Sequence, residues 1–145
     1  MPLDYKAPTG ETIKLSVIRL TSSRCGTRLG SLFINPGGPG SSAIDFARGA
    51  RSVFPEEVRA AYDVVAFDPR GVQRSEPVTC LTDSQLDSFI SIDGTPDDAA
   101  EVAQLDTAFQ QFAQGCEQRS AKVLGHVSTE ETARDMDVLR GAMGE

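Results

Sequence analysis

The chain has 145 residues, enough for one folded domain and not for two. Apolar residues at 39% and charged residues at 24% fit a globular chain rather than a disordered one. A net charge of −7 argues against nucleic acid as a partner, since phosphate binding needs a basic patch, and no apolar run reaches the roughly 18 residues of a membrane-spanning helix.

The N-terminal stretch "MPLDYKAPTGETIK" has no apolar signal core, so the protein is either cytoplasmic or begins after a removed signal. Residues 12–20, "TIKLSVIRL", alternate apolar and polar side chains as a half-buried strand does, with Ile13, Leu15 and Val17, joined by Ile18 and Leu20, as its apolar set. "TSSRCGTR" is a turn. Residues 30–35, "GSLFIN", form a short apolar run of the kind found in a buried parallel strand. The loop "NPGGPGSS" follows, and then an amphipathic helical stretch with Ile44, Phe46, Ala47, Val53 and Phe54 on one face, capped by Ser41 or Ser42.

"DVVAFDP" at 63–69 is a second buried strand, stopped by Pro69. A turn-rich loop leads to a helical region over 83–143. It breaks near "DGTPDD", where Thr95 or Asp97 can cap a helix bearing Val102, Leu105, Phe109 and Phe112. In the last helix, Ser128 or Thr129 with Glu131 or Thr132 resembles a capping box, and Met136, Leu139 and Met143 form the apolar stripe. Strands alternating with helices predict an α/β fold with a mainly parallel sheet. Three strands make a small sheet, and a further parallel strand is expected after the last helix.

Two loops sit where open α/β sheets collect function, at the C-terminal ends of strands. In Asn35 to Ser42, Gly37 and Gly38 expose backbone N–H groups without a Cβ, while Pro36 and Pro39 stiffen the turn. Such a loop suits an oxyanion hole, and equally a plain tight turn. The second loop runs from Asp68 through Pro69, Arg70, Gly71 and Gln73 to Ser75. It has the residues of an ordinary turn, and its arginines Arg70 and Arg74 also suit an anionic group. Three cysteines without a CxxC pair, and a single histidine, His126, predict no zinc site; no other metal or cofactor is called for.

The ordered set "PLDY" at 2–5, "NPGGPG" at 35–40, "YDVVAFDPRGVQRS" at 62–75, "PVTC" at 77–80, Cys116, "HVST" at 126–129 and "ARDMDVLRGAMG" at 133–144 resembles the α/β-hydrolase fold. The resemblance is to its proline-iminopeptidase and Streptomyces-type secreted tripeptidyl-aminopeptidase branch, and it covers nearly the whole chain. It implies that Gly38, beside Gly37, supplies one oxyanion N–H. It implies that the loop carrying Asp68, Arg70 and Ser75, together with Asn35, braces that donor. It also implies a disulfide between Cys80 and Cys116 that leaves Cys25 out, and a secreted or cell-surface protein. Gln73 departs from the family, which has glycine there, so the turn needs either a negative φ or some strain.

No G-x-S-x-G elbow occurs in the sequence, and Ser41 and Ser42 are not flanked as an elbow requires. His126 precedes the place of the nucleophile, so in the family order Ser, Asp, His it is not the triad base. The triad is therefore expected from a C-terminal portion of the same hydrolase, as a continuation or a second chain. The substrate is expected to be a peptide with a free N-terminus. An esterase or lipase-like hydrolase and a non-catalytic α/β binding module are the alternatives.

Overall fold

The computed structural model describes residues 1–23 and 28–145; Cys25 lies outside them, and with it the expectation that it stays out of the disulfide. Two compact units divide the chain, one of residues 1–77 with 126–145, the other of residues 78–125.

The first unit is built on a three-stranded mixed sheet in the order β1-β3-β2, with β1 Val17–Leu20, β2 Gly30–Ile34 and β3 Tyr62–Phe67. β3 pairs in parallel with β2, Gly30 opposite Tyr62 and Ile34 opposite Ala66, and antiparallel with β1, Val17 opposite Phe67. The two apolar runs of the sequence therefore form adjacent parallel strands, and their C-terminal ends lie side by side. β3 is central and is buried from Asp63 to Phe67. β2 is half-buried throughout rather than wholly buried, because it occupies an edge of the sheet.

β1 is shorter than its apolar alternation. Residues 12 and 13 join the N-terminus instead: Thr12 bridges to Pro2, the Ile13 N–H donates to the Met1 carbonyl, and Ile13 is buried there. The inward residues of β1 are Ile18 and Leu20, which pack on Ala43, Ala47 and Ala66, while Val17 is exposed. Two adjacent apolar residues, Val17 and Ile18, fit either phase of a period-two strand, and packing against the helix selects the second.

Helix α1 (Ala43–Arg48) starts at Ser42, whose hydroxyl accepts from the Asp45 N–H, and continues through the short α2 (Ala50–Val53) and α3 (Glu56–Ala61). It buries Ala43, Ile44 and Ala47, and the turn after it buries Ala50. Small residues let the helix backbone approach β3 closely, so Val53, expected on the inner face, is left exposed. Phe54 meets Phe46 edge to face at 6.5 Å.

The second unit holds α4 (Asp83–Ile90) and α5 (Ala99–Leu124). Thr82 and Gln85 cap α4 reciprocally. α5 is capped by Asp98 rather than Thr95 or Asp97, because the Asp98 carboxylate accepts from both Ala100 and Glu101 N–H. Cys80 and Cys116 form the expected disulfide. Beside it Gly115 has no room for a Cβ, which would overlap the Cys80 carbonyl. At Ser120 α5 departs from helical geometry, and the Ser120 hydroxyl bonds both the N–H (2.8 Å) and the carbonyl (3.0 Å) of Thr79. The buried side of α5 is Ala108, Cys116, Ser120 and Val123. Val102 and Phe109 of the expected stripe are exposed, although Phe109 and Phe112 both contact the Phe89 ring.

Helix α6 (Thr129–Ala142) returns to the first unit through the Ser128–Glu131 capping box. It buries Asp135 and Leu139, and leaves Met136 exposed. The helix is turned by a polar anchor on Asp135, not by its methionines.

Candidate active site

The C-terminal ends of β2 and β3 lead into the two loops singled out above. After β2, Asn35 folds back so that its Oδ1 accepts the Gly37 N–H at 2.9 Å. That bond spends the Gly37 donor inside the turn. The Gly38 N–H meets no acceptor among the described residues. Gly38 has φ 147, and a Cβ built on it would lie 2.8 Å from the Gly40 nitrogen and 2.9 Å from the Ser41 nitrogen. Glycine is the residue that fits there. Gly37 through Gly40 are exposed.

After β3, Asp68 is fully buried. Its Oδ1 accepts from the Ser42 hydroxyl (2.8 Å) and the Ile44 N–H (3.3 Å), its Oδ2 from the Arg74 N–H (3.3 Å). One carboxylate thus ties the end of β3 to the first turn of α1, directly behind the glycine loop. Arg74 adds bonds to Ser42 and Asp45, and the Gln73 amide donates to the Gly40 carbonyl at 3.3 Å. The Asp45 carboxyl lies below its usual range because Arg74 bonds to it. Gln73 keeps a left-handed backbone, φ 45, so the turn retains a glycine-like conformation and the side chain is accommodated with strain.

Ser75 is buried, but it holds a different joint: its Oγ accepts the Ser16 N–H at 3.0 Å, pinning the loop to the entry of β1. Arg70 is also buried, and all five of its N–H bonds are directed to protein acceptors. Nε and Nη2 grip the two Asp135 oxygens at 2.7 and 2.8 Å. The remaining donors reach the carbonyls of Pro2, Leu3 and His126. Arg70 is therefore a structural clasp, and it has no donor left for an anionic ligand; of the two arginines considered for that task, it is withdrawn. Burial of Arg70 works against its charge, but Asp135 outweighs that and raises its pKa.

Tyr5 completes the clasp. Its hydroxyl donates to Asp135 Oδ1 at 2.6 Å and its ring lies beneath the Arg70 guanidinium, 5.3 Å away. Burial and the Asp135 carboxylate push the Tyr5 pKa well up. His126 lies just before α6, with Nδ1 3.1 Å from Glu131 Oε1, away from the glycine loop in both sequence and bonding. Tyr5 and Asp135 are the residues missed by motif reading. The signal was present, since both lie inside the segments "PLDY" and "ARDMD".

A comparison with protein-family profiles returns no match. Individual proteins do match along the chain. It is 38% identical over 149 residues to "Tripeptidyl aminopeptidase" of Streptomyces coelicolor, covering 100% of this chain and 27% of that protein. It is 37% identical over 147 residues to "Serine protease Hip1" of Mycobacterium tuberculosis, covering 100% of this chain and 28% of the relative. It is 38% identical over 145 residues to "Carboxylesterase B" of the same organism, covering 98% of this chain and 28% of the relative. The chain thus spans little more than a quarter of the length of the curated relatives it matches.

Proposed function

We propose that this chain is the N-terminal, oxyanion-supplying part of an α/β-hydrolase-fold serine peptidase that releases tripeptides or single residues from free N-termini. The observation that carries the reading is the match of the whole chain to relatives named as an aminopeptidase and a serine protease. The exposed, unspent Gly38 N–H at the mouth of two parallel strands supports it. In the proposed enzyme a serine attacks the scissile carbonyl, a histidine takes its proton and returns it to the departing amine, and water then hydrolyses the acyl-enzyme. The serine, histidine and acid are contributed from outside these 145 residues. Gly38 N–H donates to the oxyanion that develops, and Asp68 holds the loop so that the donor is already aimed. The Cys80–Cys116 disulfide supports an exported protein.

A second reading, an esterase on the same framework, is favoured by the relative named carboxylesterase. Acyl transfer is common to both, and the leaving group distinguishes them. The test uses full-length enzyme with tripeptidyl-anilide, aminoacyl-anilide and nitrophenyl-ester substrates. Cleavage of the tripeptidyl-anilide that depends on a free amine is expected; hydrolysis of the ester alone overturns the peptidase reading. Gly38→Pro deletes the donor and also forces the loop from φ 147, and should lower kcat about 100-fold or more with little change in KM. Gly38→Ala, which keeps the N–H but forces the loop to shift, should fall between. Equal loss of substrate binding in both, at unchanged kcat, would remove Gly38 from the oxyanion role.

A further inference from the structure

At the other end of the sheet, away from the glycine loop, a cavity of about 390 Å³ opens between the start of β3 at Tyr62, the end of β1 at Leu20 and the α1–α3 segment. Four arginines line it, Arg19, Arg48, Arg51 and Arg59, with the hydroxyl residues Thr21 and Ser23, and among the described residues no acidic side chain lines it. In a chain of net charge −7 such a concentration of guanidinium groups is a local inversion of sign. Two of the four are partly neutralised from outside the cavity: Arg19 bonds Asp63, and Arg48 pairs with Asp45 in an exposed contact at 2.8 Å. Arg51 and Arg59 face no carboxylate among the described residues. Arg59 is held in place by its Nε bond to the Phe54 carbonyl at 3.1 Å, and its backbone carbonyl accepts the Ser23 N–H, which fixes the cavity wall.

We propose that this cavity binds a phosphate monoester, its phosphoryl group gripped by Arg51 and Arg59 with Arg48 released from its surface pair. Guanidinium forks match phosphoryl oxygens two at a time, and an exposed pair such as Arg48–Asp45 costs little to break. The volume falls in the range of small-molecule sites and leaves room for the organic part of the ester beside Tyr62. The cavity lies at the end of the sheet opposite the glycine loop, and the proposal does not rest on the proposed function.

The test is calorimetric titration of full-length protein with glycerol 3-phosphate and with inorganic phosphate, at low and high salt. Sedimentation with phosphatidylglycerol vesicles tests whether the phosphate comes from a membrane. Saturable binding of the soluble ester, weakened by salt, is expected. Arg51→Ala and Arg59→Ala should each weaken it about tenfold, the double variant about 100-fold. Arg51 is exposed, so Arg51→Ala should keep the thermal midpoint and peptide hydrolysis of wild type, while Arg59 is half-buried and bonded to the Phe54 carbonyl, so Arg59→Ala and the double variant are scored on binding only after their folded state is verified by circular dichroism. Absence of saturable binding, affinity unchanged in the double variant, or arginine-dependent binding to vesicles without binding of the soluble ester would overturn the proposal.

Discussion

Single buried carboxylates organise the first unit, and two of them pair with guanidinium groups that differ in exposure, half-exposed at Asp63 and buried at Asp135. Asp63, at the start of β3, accepts the Ser22 N–H and bonds Arg19 and Arg28. Burial alone would raise its pKa, but the Ser22 N–H and the two guanidinium groups bring it down to about 2 from an ordinary 3.8. Its folded pKa is depressed, so its contribution is complete above about pH 4 and is lost as pH falls towards 2, on the order of 2 kcal/mol. Acid titration of stability should show this loss in wild type, and Asp63→Asn should flatten it in that window. An unchanged slope would separate Asp63 from acid unfolding. Asp135 behaves differently, because its partner Arg70 is equally buried. Asp135→Ala strands a charged guanidinium and should cost about 3–5 kcal/mol by denaturant unfolding, while Tyr5→Phe, which removes one hydrogen bond to the same carboxylate, should cost about 1–2 kcal/mol. Near-equal losses for the two variants would contradict the clasp.

At the scale of elements, local rules and tertiary demands divide the chain. The capping box before α6, settled on Ser128 and Glu131 among the pairs its sequence offers, and the parallel pairing of β2 with β3 rest on neighbouring residues and on apolar runs, and those features are visible in a string of letters. The inner face of α6 was not visible. Asp135 in "ARDMD" has the look of a solvated helix residue until Arg70, 65 positions earlier, arrives to pair with it. The same holds for α5, where Ala108, Cys116 and Ser120 are buried ahead of larger residues because the segment from Thr79 to Leu81 lies against them. The candidate site was legible as two loops, whereas the division of labour within it was not. That Asn35 consumes the Gly37 donor and leaves Gly38 is a matter of one side-chain bond. In the second unit the disulfide closes a 36-residue separation around α4 and most of α5. The chain-entropy model assigns such a closure about 4 kcal/mol. Cys80→Ser with Cys116→Ser should therefore lose most amide-exchange protection in α4, with the sheet amides of the first unit much less affected. Uniform loss across both units would show that they unfold together.

At the scale of the whole molecule, the proposed division of the catalytic machinery has a physical counterpart in the surface of the first unit. β2 is an edge strand with one side unpaired among the described residues, and Phe33 and Ile34 on it are only half-buried. Leu29, just before it, is 72% exposed, and Met136 and Val138 on α6 are 40% and 43% exposed. Each large apolar side chain left in water forgoes ~1.5–3 kcal/mol, against a total of ~5–15 kcal/mol for a domain. An unpaired edge adds a row of backbone groups open to aggregation. The chemistry points the same way, since a donor for an oxyanion does nothing until a nucleophile creates the charge. Residues 1–145 expressed alone should therefore show no tripeptidyl-anilide cleavage and no cooperative thermal transition as a monomer. Co-expression with the remainder of the proposed enzyme should restore both, and hydrogen exchange should then slow at those alternate β2 amides that point away from β3 to the unpaired edge. Cleavage by the isolated segment, or a sharp monomeric transition in it, would show that the catalytic machinery and the missing packing surface are not supplied from elsewhere.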